Sequence, residues 1–130
     1  MFDKELIIEI LQQVKYAINR ILSTADTIII PEDYATTLVG VERLESTCML
    51  LTAIGESIKN IDKRTDKTFL NNYASIEWKK LMAMRDIIVH RYFDIDAEVV
   101  FDVVKNKLPD LKNTVSLMIA DLQEQESKFN

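Results

Sequence analysis

Apolar residues recur every three or four positions along several stretches of the chain, which is the pattern of helices that bury one face. The stretch from Glu5 to Ala25 predicts one long amphipathic helix. A second helix is predicted from about Pro31 to Asp62, bent near Gly40. Its apolar stripe has the spacing of a bundle seam: Val41, Leu44, Cys48, Leu51, Gly55 and Ile58. A glycine in such a seam lets another backbone approach closely.

The second half of the chain predicts three more helices separated by short breaks. The polar segment from Lys63 to Ala74 indicates a loop, after which Ser75 is placed to cap the third helix. The helical pattern breaks around residues 91–94. Asp96 is then placed to cap a fourth helix, and Pro109 suits the first turn of a fifth.

The composition agrees with an all-helical fold. The chain of 130 residues contains two glycines and two prolines, too few for the many turns of a sandwich or barrel. No internal repeat, linker or low-complexity tract divides it. We therefore expect an all-α fold, a single-domain antiparallel bundle of four to five helices that covers residues 1–130.

Charge and cysteine content exclude several classes of protein. The net charge of −5 argues against a protein that coats nucleic acid by bulk electrostatics, although it permits a small basic site. The longest uncharged stretch is too short to cross a bilayer. With His90 and Cys48 as the single histidine and cysteine, an intrachain disulfide and a His/Cys zinc site are excluded. We expect no metal, no cofactor and a cytoplasmic location, with Cys48 and the methionines in the core.

The segment from Glu77 to Tyr92 concentrates the chemistry of the chain. It holds four basic residues against two acidic ones, together with the histidine. Imidazole can accept and donate a proton near neutral pH. Arg85 offers a planar fork of donors that suits a phosphate, and the phenol of Tyr92 can donate a hydrogen bond or be modified. These three side chains form a minimal set for phosphodiester chemistry.

The spacing within this segment raises a geometric difficulty. Arg85 and His90 are separated by about 140° on an ideal helix, at roughly 100° per residue. Either the helix ends near His90, or Arg85 swings around, or the site lies between two copies of the chain. A purely structural interpretation also exists, because a histidine in the last helical turn is stabilised by the dipole. In that case Arg85 and Asp86 would pair with surface charges, and Tyr92 would belong to the core.

The spacing of Arg85, His90 and Tyr92 matches the Arg-x4-His-x-Tyr motif of the HEPN superfamily. More narrowly, the chain resembles HepT-type toxins, which are the partners of minimal nucleotidyltransferases. The similarity covers most of the chain, including the long first helix and residues 76–96. Arg91 departs from the pattern, since small residues are common in its slot, and its charge is expected to alter substrate or partner contacts.

The resemblance implies a metal-independent endoribonuclease that dimerises and places both motif copies at a shared cleft. His90 would act as general base or acid toward the ribose 2′-hydroxyl, and Arg85 would stabilise the transferring phosphate. The product would carry a 2′,3′-cyclic phosphate or its hydrolysed form. The resemblance also implies an antitoxin, a nucleotidyltransferase that adds AMP to Tyr92 and thereby blocks RNA sterically and by charge.

Charged residues outside the three-residue motif are candidates for contact with the substrate or for support of Arg85. Asp86, Lys79 and Arg91 are candidate substrate contacts, although Lys79 can equally be an ordinary surface lysine. Glu56 is either a buried acid that supports Arg85 or a solvated carboxylate on the helix face.

Three functions are therefore open at this point. The first is an RNA-cleaving toxin, acting on RNA such as tRNA, that works as a homodimer. The second is a non-catalytic binding subunit for a nucleotidyltransferase, which the low positive charge favours. The third is a structural bundle in which the motif is accidental.

Overall fold

The computed structural model describes residues 2–91 and 94–129, with the side chains of 89–91 and 126–129 outside the description. Helices account for most of it. The α-helices are α1 (Lys4–Thr24), α2 (Leu38–Arg64), α3 (Trp78–Met82), α4 (Met84–Ile88), α5 (Ala97–Asp102) and α6 (Leu108–Phe129). Short 3-10 turns span Ala25–Thr27, Pro31–Tyr34 and Phe69–Tyr73, and a π-helical segment spans Val103–Lys107. Two strands, β1 (Val89–Arg91) and β2 (Asp94–Ile95), form an antiparallel pair.

The long first helix is present as predicted. Asp3 caps α1, because its carboxylate accepts a hydrogen bond from the backbone N–H of Leu6 at 3.1 Å. The apolar stripe of α1 is buried against both α2 and α6. The central position of this helix makes it the core of the bundle. Its fully buried side chains include Ile7, Leu11, Val14, Ile18 and Ile21.

The predicted start of the second helix at Pro31 is wrong. Pro31–Tyr34 forms a separate 3-10 turn, and extended backbone at Thr37 interrupts the helical path. The hydroxyl of Thr37 then accepts a hydrogen bond from the N–H of Gly40 at 2.9 Å and starts α2 at Leu38. A Cβ atom on Gly40 would collide with the backbone oxygen of Asp33. This glycine therefore permits a close approach of the 3-10 turn.

The predicted loop over residues 63–74 is also partly wrong. After α2 the chain reverses through Asp66 and Lys67, whose φ angles of 54° and 62° are left-handed. The 3-10 turn that follows buries Phe69 and Leu70. The Phe69 ring makes edge-on contacts with Phe2 and Tyr73, at centroid distances of 5.7 and 5.5 Å. Burial of aromatic surface thus orders this polar segment.

The predicted third helix is two short helices rather than one. It begins at Trp78, so Ser75 is not its cap, and it is interrupted at Ala83, whose ψ of 6° leaves the helical range. The indole N–H of Trp78 donates to the carbonyl oxygen of Tyr73 at 2.9 Å. That bond and the burial of Trp78 determine where the segment starts.

The predicted cap at Asp96 is confirmed, but the predicted break before Pro109 is wrong. The carboxylate of Asp96 accepts hydrogen bonds from the N–H groups of Glu98 and Val99, both at 3.1 Å. The helix then continues through the π-helical segment into α6, where the N–H of Leu108 donates to Val103. Because Pro109 lacks an N–H and its ring crowds the preceding turn, a wider turn accommodates it without ending the helix.

The predicted all-α bundle is confirmed, with one minor sheet in the part of the chain that the structure describes. Cys48 is buried as expected, and so are Met84 and Met118. Met49 is an exception, since 77% of it is exposed on α2. Among the described residues, none of the helices is both long enough and apolar enough to cross a membrane.

Candidate functional site

The α3–α4 segment, which carries the candidate site, packs against α2 at Gly55. Gly55 is buried, and a Cβ atom placed on it would lie 2.8 Å from the backbone oxygen of Leu81 and 3.5 Å from the Cβ of Met84. This confirms the prediction that Gly55 admits a close backbone. Leu81, Met84 and Ile88 are buried beside it and anchor α3 and α4. The segment therefore has a defined position against the bundle core.

Arg85 lies on the solvent-exposed side of α4. It stands between the buried anchors Met84 and Ile88, and its neighbours Asp86 and Ile87 are exposed with it. Among the side chains that the structure describes, no acidic group forms an ion pair with Arg85. The guanidinium is therefore available to an incoming anion such as a phosphate.

His90 lies in strand β1, so the structural interpretation that placed it in the last turn of a helix is wrong. The helix ends at Ile88, and the strand pairing aligns Val89 with Ile95 and Arg91 with Asp94. His90 is thus the extra residue of β1 at a break in register, which has the form of a β-bulge. Backbone pairing with residues 94–95 ends the helix here.

Because α4 ends at Ile88, Arg85 and His90 do not lie on one helix. Arg85 belongs to α4 and His90 to the strand that follows, so the angle of about 140° on a single helix does not apply. Of the three alternatives, the structure supports a helix that ends near His90. The side chains of His90 and Arg91 lie outside the description, and Tyr92 falls outside the described residues altogether.

The two lysines before the motif differ in their surroundings. Lys79 is exposed on α3 and forms no ion pair with any described side chain. Lys80 lies 2.7 Å from the carboxylate of Glu77, which Lys107 approaches to 3.8 Å. The hydrogen bond from Lys80 lowers the pKa of Glu77, and the same bond raises the pKa of Lys80. Lys79 is therefore the better placed of the pair to meet a phosphate.

A cavity of about 370 Å³ lies beside α4, between the α3–α4 segment and the helix formed by α5, the π-helical segment and α6. Apolar side chains, including Met84 and Ile87, line it together with the ionic cluster of Glu77, Lys80 and Lys107. Arg85 does not line it. The cavity and the motif therefore share α4 but lie at different places on the surface.

Two further expectations concern acidic groups. Glu56 is exposed, so its interpretation as a buried acid supporting Arg85 is wrong and the solvated carboxylate is correct. The residue next to it, Gly55, takes the buried position against α3 instead. Within the described residues, no three His, Cys, Asp or Glu side chains are grouped closely enough to hold a metal ion.

Three structural features of the site are absent from the sequence-based prediction: the strand pair, the bulge at His90 and the bond from Trp78 to Tyr73. The strands are too short for an alternating pattern to stand out. The indole bond joins residues five positions apart across a turn, which no helical or strand periodicity marks. None of the three had such a signal; the sequence marks only the end of the helix that precedes the strand pair, in the loss of apolar periodicity around residues 91–94.

Most of the chain matches one protein family. Residues 18–118 match the model described as ribonuclease HepT-like. The chain belongs to the HepT-like family. This match covers well over half of the chain, including α2, the α3–α4 segment and both strands. No solved structure matches the chain.

Individual relatives of this HepT-like chain carry names of the same kind. A candidate RNase of Caldanaerobacter subterraneus is 28% identical over 82% of this chain and 84% of its own length. A candidate RNase of Methanocaldococcus jannaschii is 33% identical over 58% of this chain and 60% of its own length. A ribonuclease HepT candidate of Thermococcus cleftensis is 37% identical over 48% of this chain and 53% of its own length. The chain thus matches less than two thirds of the last two proteins.

Proposed function

We propose that this HepT-like chain is the toxin of a toxin–antitoxin pair, a metal-independent endoribonuclease that cleaves RNA, such as tRNA, with Arg85 and His90. The observation that carries the proposal is the placement of Arg85. Its side chain is exposed on a helix anchored by Met84 and Ile88 and forms no ion pair with a described side chain. His90 follows within two residues of the end of that helix. The family match and the names of the relatives support a ribonuclease.

The reaction needs no group beyond the RNA and these side chains. His90 accepts the proton of a ribose 2′-hydroxyl, and the freed oxygen attacks the adjacent phosphorus. The bond from phosphorus to the 5′-oxygen of the next nucleotide breaks, and the protonated His90 gives the proton it accepted to that leaving oxygen. The product ends in a 2′,3′-cyclic phosphate. Negative charge builds on the phosphate oxygens during the attack, where the Arg85 guanidinium stabilises it.

Nearby charges are candidate contacts to the RNA outside the reacting phosphate. Lys79 is exposed one turn or more before Arg85 and is suited to a backbone phosphate. Asp86 and Arg91 flank the two reacting side chains in sequence. We assign these three residues to substrate contact and not to the chemistry. The net charge of −5 means that RNA affinity rests on few basic groups and is weak at high salt.

Two copies of the chain would share one cleft in this proposal. A two-fold axis beside α4 would bring two arginines and two histidines together. The exposed Ile87 lines the neighbouring cavity on the same helix and would supply apolar surface at the edge of such a contact. The homodimer would thus complete the site.

A nucleotidyltransferase antitoxin would control the activity through Tyr92. The phenol oxygen of Tyr92 would attack the α-phosphorus of ATP, so that AMP is attached and pyrophosphate leaves. The added phosphate is bulky and anionic, and it would repel RNA from the cleft. Incubation of the purified chain with the neighbouring nucleotidyltransferase and ATP is expected to add the mass of AMP to Tyr92. An unchanged mass would contradict this part of the proposal.

Cleavage of total tRNA in EDTA tests the nuclease directly. Wild-type protein is expected to produce fragments with cyclic phosphate ends, and Arg85→Ala should slow cleavage by about 10²- to 10³-fold. His90→Ala should also abolish most cleavage. The control is Arg20→Ala, which removes another exposed arginine from α1. Arg85→Ala should leave the free energy of unfolding within about 0.5 kcal/mol of wild type, because the side chain is exposed.

The alternative is a non-catalytic binding subunit for a nucleotidyltransferase. The acidic net charge and the engagement of Lys80 and Lys107 with Glu77 favour it. If wild type and His90→Ala give identical RNA profiles at high protein concentration, the nuclease proposal fails. A stable complex with the nucleotidyltransferase under the same conditions would then support the binding subunit.

A further inference from the structure

One surface far from Arg85 in sequence combines exposed aliphatic side chains with acidic ones. Ile29 and Leu38 are 75% and 74% exposed, and Ile30 and Val39 are 50% and 57% exposed. These four residues flank the 3-10 turn Pro31–Tyr34, which precedes α2. We call them, with the acids around them, the acidic apolar surface. Single exposed aliphatic residues are common on proteins, but four of them within eleven residues are the composition expected of a contact surface.

The two halves of this surface lie next to each other. A cavity of about 130 Å³ is lined by Thr27 and Ile28, at the end of the 3-10 turn that follows α1, and by Thr37 and Val39 from the start of α2. Ile29 follows directly after the first pair, and Leu38 lies within the second. Of the four exposed aliphatic residues, Val39 lines this depression, and Ile29 and Leu38 are each adjacent in sequence to a residue that lines it.

The backbone beneath this surface is held in place. The carboxylate of Asp33 accepts hydrogen bonds from the N–H groups of Ile29 and Ile30, at 2.8 and 3.1 Å. Ile28 and Tyr34 are buried below it, and Gly40 packs against the carbonyl of Asp33. A surface that is ordered before binding loses little conformational entropy when a partner docks.

The segment that carries this surface has acidic residues and no basic ones. From Ile21 to Glu42 the chain contains four acidic residues, Asp26, Glu32, Asp33 and Glu42, and no lysine or arginine. Helix α5, which packs against the 3-10 turn Pro31–Tyr34, carries the exposed Glu98.

Two cations border the surface, and both are half-buried. The Lys105 ammonium donates to the carbonyl oxygen of Ala25 at 2.8 Å, and Arg43 has its Nε enclosed by protein. The exposed acids Asp26, Glu32 and Glu42 outnumber these two cations.

We propose that the acidic apolar surface docks a basic polypeptide segment. Apolar side chains of the partner would seat on Ile29, Ile30, Leu38 and Val39, while its lysines or arginines meet Asp26, Glu32 and Glu42. Charge complementarity selects this occupant. RNA carries the same sign as the acids, and a second copy would bring identical acids face to face. The inference does not depend on the proposed ribonuclease function.

A designed peptide tests the proposal on the full chain. The probe is a synthetic amphipathic helix with leucine on one face and lysine elsewhere, and the control peptide has glutamate in place of lysine. Titration followed by amide NMR shifts is expected to perturb residues 26–42 with the lysine peptide and not with the glutamate peptide. Perturbation centred on the α3–α4 segment would overturn the proposal, as would equal binding of both peptides.

Variants separate docking from general electrostatics. The double change Leu38→Ser with Val39→Ser should weaken the lysine peptide by about tenfold or more, and Ile29→Ser gives a second test should the double variant fail to fold. Leu117→Ser, an exposed leucine on α6, is the matched control and should have no effect. Unchanged affinity in both surface variants would overturn the proposal. Loss of a dimer in sedimentation of these variants would also overturn it, because a second copy would then occupy the surface.

Discussion

Gly55 and Leu81 are in direct contact, because the position of a Cβ atom on Gly55 lies only 2.8 Å from the Leu81 backbone oxygen. A backbone oxygen cannot swing away as a flexible side chain does. The contact fixes the distance between α2 and the segment that carries Arg85. It therefore links a residue of the core to the placement of the candidate site.

The substitution Gly55→Ala is expected to move this segment. Alanine gains about 1 kcal/mol in helix propensity, but overpacking against a rigid backbone oxygen costs about 2–3 kcal/mol, the upper part of the usual range. We expect the free energy of unfolding to fall by about 1–2 kcal/mol and RNA cleavage to slow. Urea unfolding and a cleavage assay measure both. The matched control is Ala53→Leu on the exposed face of α2, and equal stability of Gly55→Ala and wild type would contradict the contact.

Tyr73 joins the segment before α3 to α6. Its phenol O–H donates to the carboxylate of Asp121 at 2.8 Å. The change Tyr73→Phe removes this bond and should lower the free energy of unfolding at neutral pH by about 1 kcal/mol. Tyr16→Phe changes an exposed tyrosine and should have no effect.

The same bond predicts a pH dependence. Burial, and then the neighbouring Asp121, raise the pKa of Tyr73 above the ordinary value of 10.0, so the folded state favours the protonated phenol. The stabilisation is complete below pH 10 and is lost as the pH rises through the raised pKa. Wild type should therefore lose its advantage over Tyr73→Phe in strong alkali. A difference between the two proteins that stays constant up to high pH would contradict this assignment.

Cys48 is expected to be unreactive in the folded protein. Burial raises the pKa of its thiol to about 11, and the thiolate is the reactive form. At pH 8, iodoacetamide should label the chain only as fast as it unfolds, while the urea-unfolded chain should gain one adduct. Mass spectrometry follows both reactions. Rapid labelling of the folded chain would show that Cys48 is accessible.

Local sequence signals predict a large part of the fold. The periodicity of α1, the cap at Asp96 and the seam glycine Gly55 each depend on neighbours along one or two turns, and the structure confirms all three. Features that depend on distant contacts are missed. The 3-10 turn Pro31–Tyr34 is separate from α2 because Thr37 caps α2 only at Leu38. The last helix continues past Pro109 because the π-helical segment before it accommodates the proline ring.

The candidate site shows the same division. The residue types predict phosphate chemistry at Arg85 and His90, and the structure exposes Arg85 on a helix. The angle expected between the two residues on a single helix does not describe their arrangement, because strand pairing with residues 94–95 removes His90 from the helix. Backbone hydrogen bonds to a later segment leave no trace in the periodicity of the earlier one.

The central claim is that arginine and histidine from two protomers act in one cleft, and mixing two inactive variants tests it. Arg85→Ala and His90→Ala proteins are unfolded together, refolded and assayed on tRNA, and native mass spectrometry verifies that mixed dimers form. A shared cleft in a mixed dimer keeps one Arg85 and one His90, so part of the wild-type cleavage should return. No recovery in a sample rich in mixed dimers would contradict the shared cleft.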